Sequence, residues 1–169
     1  MKNISFRDDV LPLKDKLFRL ALRVTLNRAE AEDIVQDVLM RIWDKREELR
    51  EVESLEAYSL TVCRNLSIDR SQRRENFNTD LDSAPPTEDN APQPDQMMMR
   101  DERLDNIKRL FDRLPQPQRE AMQLRDIEGK PYKEIASITG QTEEQVKVNI
   151  FRARQYIKKQ IEKIENYGL

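Results

Sequence analysis

Apolar side chains recur along this chain at steps of three and four, the spacing of one helix face. Leu13, Leu17, Leu20, Ala21 and Val24 make a first stripe. Asn27 followed by Glu30 has the form of a capping box, and beyond it Ile34, Val35, Val38, Leu39, Ile42 and Trp43 trace a second helix. Ser54 fits the N-cap of a third, with Leu55, Tyr58, Val62 and Leu66 as its inner face. Arg64, Asn65, Arg70, Arg73 and Arg74 project elsewhere from that helix.

The rhythm resumes nearer the C-terminus. Leu104, Ile107, Leu110, Phe111 and Leu114 form a stripe that Pro115 and Pro117 terminate or re-aim. A short helix is expected from Pro117 toward Ile127, closed by Gly129 in the left-handed region, and another from Pro131 to Thr139. Gly140 and Gln141 then turn the chain and Thr142 caps a longer helix. Val146, Ile150, Ala153 and Ile157 give that helix its buried face, so the order is helix, turn, helix.

Between the two series, Thr79 to Gln96 holds Pro85, Pro86, Pro92 and Pro94 among polar residues, with Leu81 as its only large apolar side chain. Such a stretch buries too little to order itself. With 37% charged residues and only 3 glycines in 169, the composition favours helices over turn-rich sheets. The expected fold is all-α. Two small helical domains, 1–76 and 101–169, are joined by a flexible, acidic, proline-containing linker at 77–100, and the C-terminal domain is a helix-turn-helix.

Charge changes the picture only when it is localised. The net charge of −2 argues against a nucleic-acid partner, yet the linker holds the excess acid. Between positions 145 and 163, Lys147, Arg152, Arg154, Lys158, Lys159 and Lys163 face only Glu162. Local fields attract phosphate. In a helix-turn-helix the first helix braces the second, whose exposed N-terminal side chains reach base edges while flanking cations hold phosphates. Thr142, Glu143, Gln145, Lys147 and Asn149 are placed to face a major groove, and Arg152, Arg154 and Lys158 lie further along, toward phosphates. An isolated basic helix is more often a solvated face; the glycine turn and brace helix favour the DNA-reading alternative.

Other chemistry finds little support. There is no His, Cys63 is the lone cysteine, and no phosphate-cradling glycine loop or metal-ligand spacing is present. The acids Glu30, Glu32, Asp33 and Asp37 lack the Glu-x-x-His partners of a di-iron bundle. No catalytic residue, metal or cofactor is expected. No run approaches the roughly 20 apolar residues that span a bilayer, so the chain is expected to be cytoplasmic, without direct membrane insertion.

These residues resemble the extracytoplasmic-function (ECF) sigma factors of the sigma-70 family, across both domains. AEDIVQDVLMRIW, from Ala31 to Trp43, resembles sigma region two, whose helix binds the clamp helices of the polymerase beta-prime subunit. The resemblance implies polymerase contacts at Asp33, Gln36, Asp37 and Arg41. AYSLTVCRNLSIDRSQRR, from Ala57 to Arg74, resembles the stretch facing the minus-ten element. It implies promoter contacts at Asn65, Arg70, Arg73 and Arg74.

LPQPQREAMQLRDIEGKPYKEIASITG and VKVNIFRAR, within Leu114 to Arg154, resemble sigma region four, which reads the minus-thirty-five element. Glu143 and Glu144 depart from the small or uncharged residues common there. The implied function is promoter-specific initiation with bacterial core RNA polymerase, through its beta-prime and beta subunits, on promoter DNA. Such factors often have an anti-sigma partner. The rivals are a stand-alone dimeric helix-turn-helix repressor or activator, and a module that binds only protein.

Overall fold

The computed structural model describes residues 3–80 and 102–167, which belong to two compact units. Among the described residues there is no strand, and the all-helical expectation holds.

The first unit opens on a widened turn, Phe6–Val10, whose N-terminus is capped by the Ser5 hydroxyl accepting from the Asp8 N–H. A 3₁₀ turn, Leu11–Leu13, leads into α1 (Lys14–Thr25). The helix ends at Leu26, which adopts φ 54°, a left-handed conformation rare for a branched side chain. Its N–H closes the last turn on the Leu22 carbonyl at 2.8 Å. Asn27 immediately caps α2 (Arg28–Asp44), its Oδ1 accepting from the Glu30 N–H at 2.8 Å. A short 3₁₀ turn, Glu48–Glu51, precedes α3 (Leu55–Asp80). These three helices pack pairwise into a bundle. Leu17, Leu20, Ile34, Ile42 and Leu60 lie at its fully buried centre.

The predicted inner face of α3 is out of phase. Ser54 does cap it, its hydroxyl accepting from the Ala57 N–H at 3.0 Å. However, Leu55, Tyr58, Val62 and Leu66 are only partly buried, whereas Ser59, Leu60, Cys63 and Ser67 are completely buried. The reason is local: the Ser59 hydroxyl donates to the Leu55 carbonyl at 2.6 Å and Ser67 to the Cys63 carbonyl at 2.7 Å. Hydroxyls satisfied within their own helix behave as small side chains and permit close approach of α1. α3 also runs to Asp80, reaching into the segment expected to be linker; the rest of that segment lies outside the described residues.

In the second unit, α4 (Glu102–Asp112) reaches the corner at Pro115. Leu110, Phe111 and Leu114 pack with Ala153 and Ile157, and Met122, Tyr156, Ile161 and Ile164 flank them. Leu104, expected in this stripe, is instead 48% exposed. Buried Arg119 donates to the Leu114 carbonyl at 2.8 Å, satisfying the chain where it turns. α5 (Gln116–Met122) continues as a widened turn, Gln123–Ile127. Gly129, at φ 71°, then lets the Lys130 N–H fold back onto the Leu124 carbonyl at 2.9 Å. Next along the chain come α6 (Tyr132–Thr139), of which residues 137–139 and the following Gly140, at φ 73°, are grouped with the first unit, and then α7 (Glu143–Tyr167). The buried face of α7 is Val146, Ile150, Ala153 and Ile157, in the expected phase. Among the described residues no helix is long and apolar enough to cross a membrane.

Candidate nucleic-acid interface

The N-terminus of α7 is fixed by a reciprocal cap. The Thr142 hydroxyl accepts from the Gln145 N–H at 3.1 Å, and Gln145 Oε1 accepts from the Thr142 N–H at 2.9 Å. Two otherwise unsatisfied donors are thereby closed, and the Gln145 amide NH₂ is left outside the cap. One turn on, half-buried Asn149 donates to Gln141 Oε1 at 2.9 Å. Gln141, Glu144, Gln145, Val148, Asn149 and Arg152, with Pro117, line an open cleft on this side.

The other flank is built around Tyr132. Arg125 lies 4.2 Å over its ring and donates to the Lys130 carbonyl at 3.0 Å. Lys147 approaches the same ring at 5.5 Å. Arg154 grips Asp126 with two donors, Nε reaching Oδ2 at 3.2 Å. Hydrogen bonding to Asp126 raises the Arg154 pKa against a smaller opposing effect of burial, and Asp126 and Tyr132 add to the rise. Glu143 and Lys158 are exposed and beyond these groupings.

Thus the residues expected on α7 separate into two flanks: Gln145, Asn149 and Arg152 on the cleft side, Lys147 and Arg154 on the tyrosine side. Between them stand Val148, 45% exposed, and Phe151, 63% exposed. Sequence reasoning passed over both, along with Arg125, Asp126 and Tyr132. A signal was present for the first two, because apolar residues at 148 and 151 fall outside the rhythm of 146, 150, 153 and 157.

On the first unit, Asp33, Gln36, Met40 and Arg41 are exposed along the outer face of α2, with Asp37 partly covered. Arg70, expected among promoter contacts, reaches back from α3 to this face. Its two terminal nitrogens donate separately to Asp33 Oδ2 and Asp37 Oδ2. Burial lowers the pKa of Arg70, but the hydrogen bond and charge of Asp33, with Asp37 and Glu30, leave it raised. The remaining candidates on α3 are held otherwise. Arg73 pairs with Asp69 at 3.2 Å, Asn65 Oδ1 accepts from Arg64 at 3.3 Å, and Arg74 is partly buried. Among the described residues no group of His, Cys, Asp or Glu is arranged to hold a metal ion.

Comparison with known proteins agrees with this division. Residues 10–77 match the family described as Sigma-70 region 2, and residues 104–157 match Sigma-70, region 4. The ECF RNA polymerase sigma factor EcfG of Rhodopseudomonas palustris is 32% identical over 152 residues, covering 89% of this chain and 81% of that protein. The ECF RNA polymerase sigma factor SigE of Mycolicibacterium smegmatis is 29% identical over 148 residues, 85% of this chain but 56% of its own length. In fold, the chain is similar to the sigma factor RpoE, solved in complex with the anti-sigma factor NepR from Bartonella quintana. That likeness has a TM-score of 0.74 at 24% identity, covering 93% of this chain and 96% of that one. CnrH, solved in complex with the cytosolic domain of CnrY, gives a TM-score of 0.65 at 18% identity, with 93% and 87% covered. The chain belongs to the ECF sigma factors of the sigma-70 family, regulatory DNA-binding proteins that direct promoter-specific transcription initiation by RNA polymerase.

Proposed function

We propose that this protein divides recognition between its two units. The outer face of α2, through Asp33, Gln36, Asp37 and Arg41, docks on the beta-prime clamp helices of core polymerase, and the beta subunit completes the contact. Asn65, Arg73 and Arg74 of α3 meet the minus-ten element. α7 enters the major groove of the minus-thirty-five element. There Thr142, Glu143, Gln145, Lys147 and Asn149 meet base edges, and Arg152, Arg154 and Lys158 meet phosphates. Val148 and Phe151 join the base-facing set, since apolar side chains discriminate thymine by its methyl group. The carboxylates of Glu143 and Glu144 favour cytosine N4 as their partner.

The observation that carries this reading is the capped N-terminus of α7, which follows a glycine turn and presents a cleft on one flank and cations on the other. The protein acts in the cytoplasm by binding, with no catalytic group of its own. An anti-sigma factor, the class of partner with which RpoE was solved, regulates it. Promoter opening requires unstacking of bases, which costs a few kcal/mol, so polymerase must assist.

The test mixes the purified chain with bacterial core RNA polymerase, isolates the complex by gel filtration and follows promoter opening by permanganate footprinting. A one-to-one complex that initiates at discrete sites supports the proposal. Tight dimeric DNA binding without polymerase binding supports a stand-alone repressor instead, and opening by the free chain overturns the division of labour.

A further inference from the structure

The arrangement of Arg70 is at odds with a direct promoter role. Its side chain is 19% exposed, and each of its two terminal nitrogens is engaged by a different carboxylate of α2. A DNA phosphate would have to displace both. Arg73, by comparison, is 78% exposed and held by one residue on its own helix.

Asp33 and Asp37 stand one helical turn apart, where like charges repel. Placed between them, Arg70 removes that repulsion and fixes both side chains while occupying only one oxygen of each in these bonds. Asp33 remains 65% exposed and Asp37 41%. An approaching partner would therefore meet two carboxylates at a set spacing, beside exposed Met40 and Gln36.

We propose that Arg70 is a positioning residue for polymerase docking, acting through Asp33 and Asp37, and is not itself a promoter contact. The inference rests on the reading of the α2 face as the docking surface. Carboxylates ordered in advance need no ordering when the partner arrives, and that cost is removed from the binding step. Lysine cannot substitute fully, because a single ammonium lacks the planar fork that serves two acids at once.

The experiment uses the full chain with bacterial core RNA polymerase and separates two affinities: that of the factor for core, and that of the preformed holoenzyme for a minus-ten fork DNA. Arg70→Gln is expected to weaken core binding about tenfold, the effect of freeing two ordered side chains, and to leave the fork affinity of holoenzyme unchanged. Arg70→Lys is expected to recover part of the loss. In the Asp33→Asn/Asp37→Asn background, Arg70→Gln should have no further effect, since it acts through those acids.

Loss of fork affinity with core affinity intact would make Arg70 a promoter contact and overturn the proposal. A lowered melting temperature with core affinity unchanged, measured well below melting, would make it a simple brace between α2 and α3 and overturn it equally. Failure of the unaltered chain to bind core would remove the docking reading itself, a result distinct from either.

Discussion

Cys63 faces the α1 backbone from α3, its thiol donating to the Leu17 carbonyl at 3.3 Å. Burial pushes its pKa up to about 12 from an ordinary 9.0, with Ser67 and the Ala21 backbone pulling weakly the other way. The folded state therefore holds this proton at pH values where the unfolded chain releases it. The stabilisation is fully present below pH 9 and is lost as pH rises toward 12. The decline of stability over that window should be shallower in Cys63→Ala than in the parent, as read by denaturant titration at successive pH values; equal slopes would contradict the burial account. At the other end of the chain, Asp126 neutralises Arg154 through two bonds. Asp126→Asn should strengthen duplex DNA binding at low salt and steepen the dependence of log K on log salt by about one counterion. An unchanged slope would place Arg154 away from phosphate.

The helices were legible where side-chain type and burial agree, and illegible where they part. α1, α2 and α7 bury the stripes their sequences announce, except that Trp43 at the end of the α2 stripe is only partly covered. In α3 the buried positions are Ser59, Cys63 and Ser67 beside Leu60, and a polar residue that satisfies its hydroxyl on its own helix does not register as core. This close approach makes a distinct prediction: Ser67→Leu, which raises the apolar character of α3, should destabilise the first unit by about 1–3 kcal/mol through overpacking. A melting temperature at or above that of the parent would mean the interface has room. The cap of α7 was legible at Thr142, but the return bond from Gln145 was not, because only geometry shows which atoms of an amide are engaged. Thr142→Ala should cost about 1 kcal/mol of stability, measurable by thermal melting, and should weaken minus-thirty-five binding by loosening the base-facing turn. The widened turn at Gln123–Ile127 and left-handed Leu26 carried no sequence signal at all.

At the scale of the whole chain, composition announced two helical units, and two compact units are what the fold contains. The arginine that joins the α2 face to α3 was the part of the candidate site least accessible to motif reasoning, since its neighbours Asp69 and Arg73 pair along one helix while Arg70 bonds across 33 and 37 positions of sequence. Covalent linkage of the units is itself a quantity with a consequence. Two weak sites joined in one chain act at an effective concentration set by the length and stiffness of the connection, up to the millimolar range. Cleaving the chain at an engineered protease site within residues 81–101 should therefore leave the first unit able to bind core polymerase but reduce promoter-specific initiation by on the order of a hundredfold or more when the pieces are present at micromolar concentration. Raising the concentration of the C-terminal piece should restore initiation in proportion, because the lost term is concentration and not contact. Activity that survives cleavage undiminished would show that the first unit selects promoters alone, and activity that no excess restores would show that the segment between the units contributes contacts of its own.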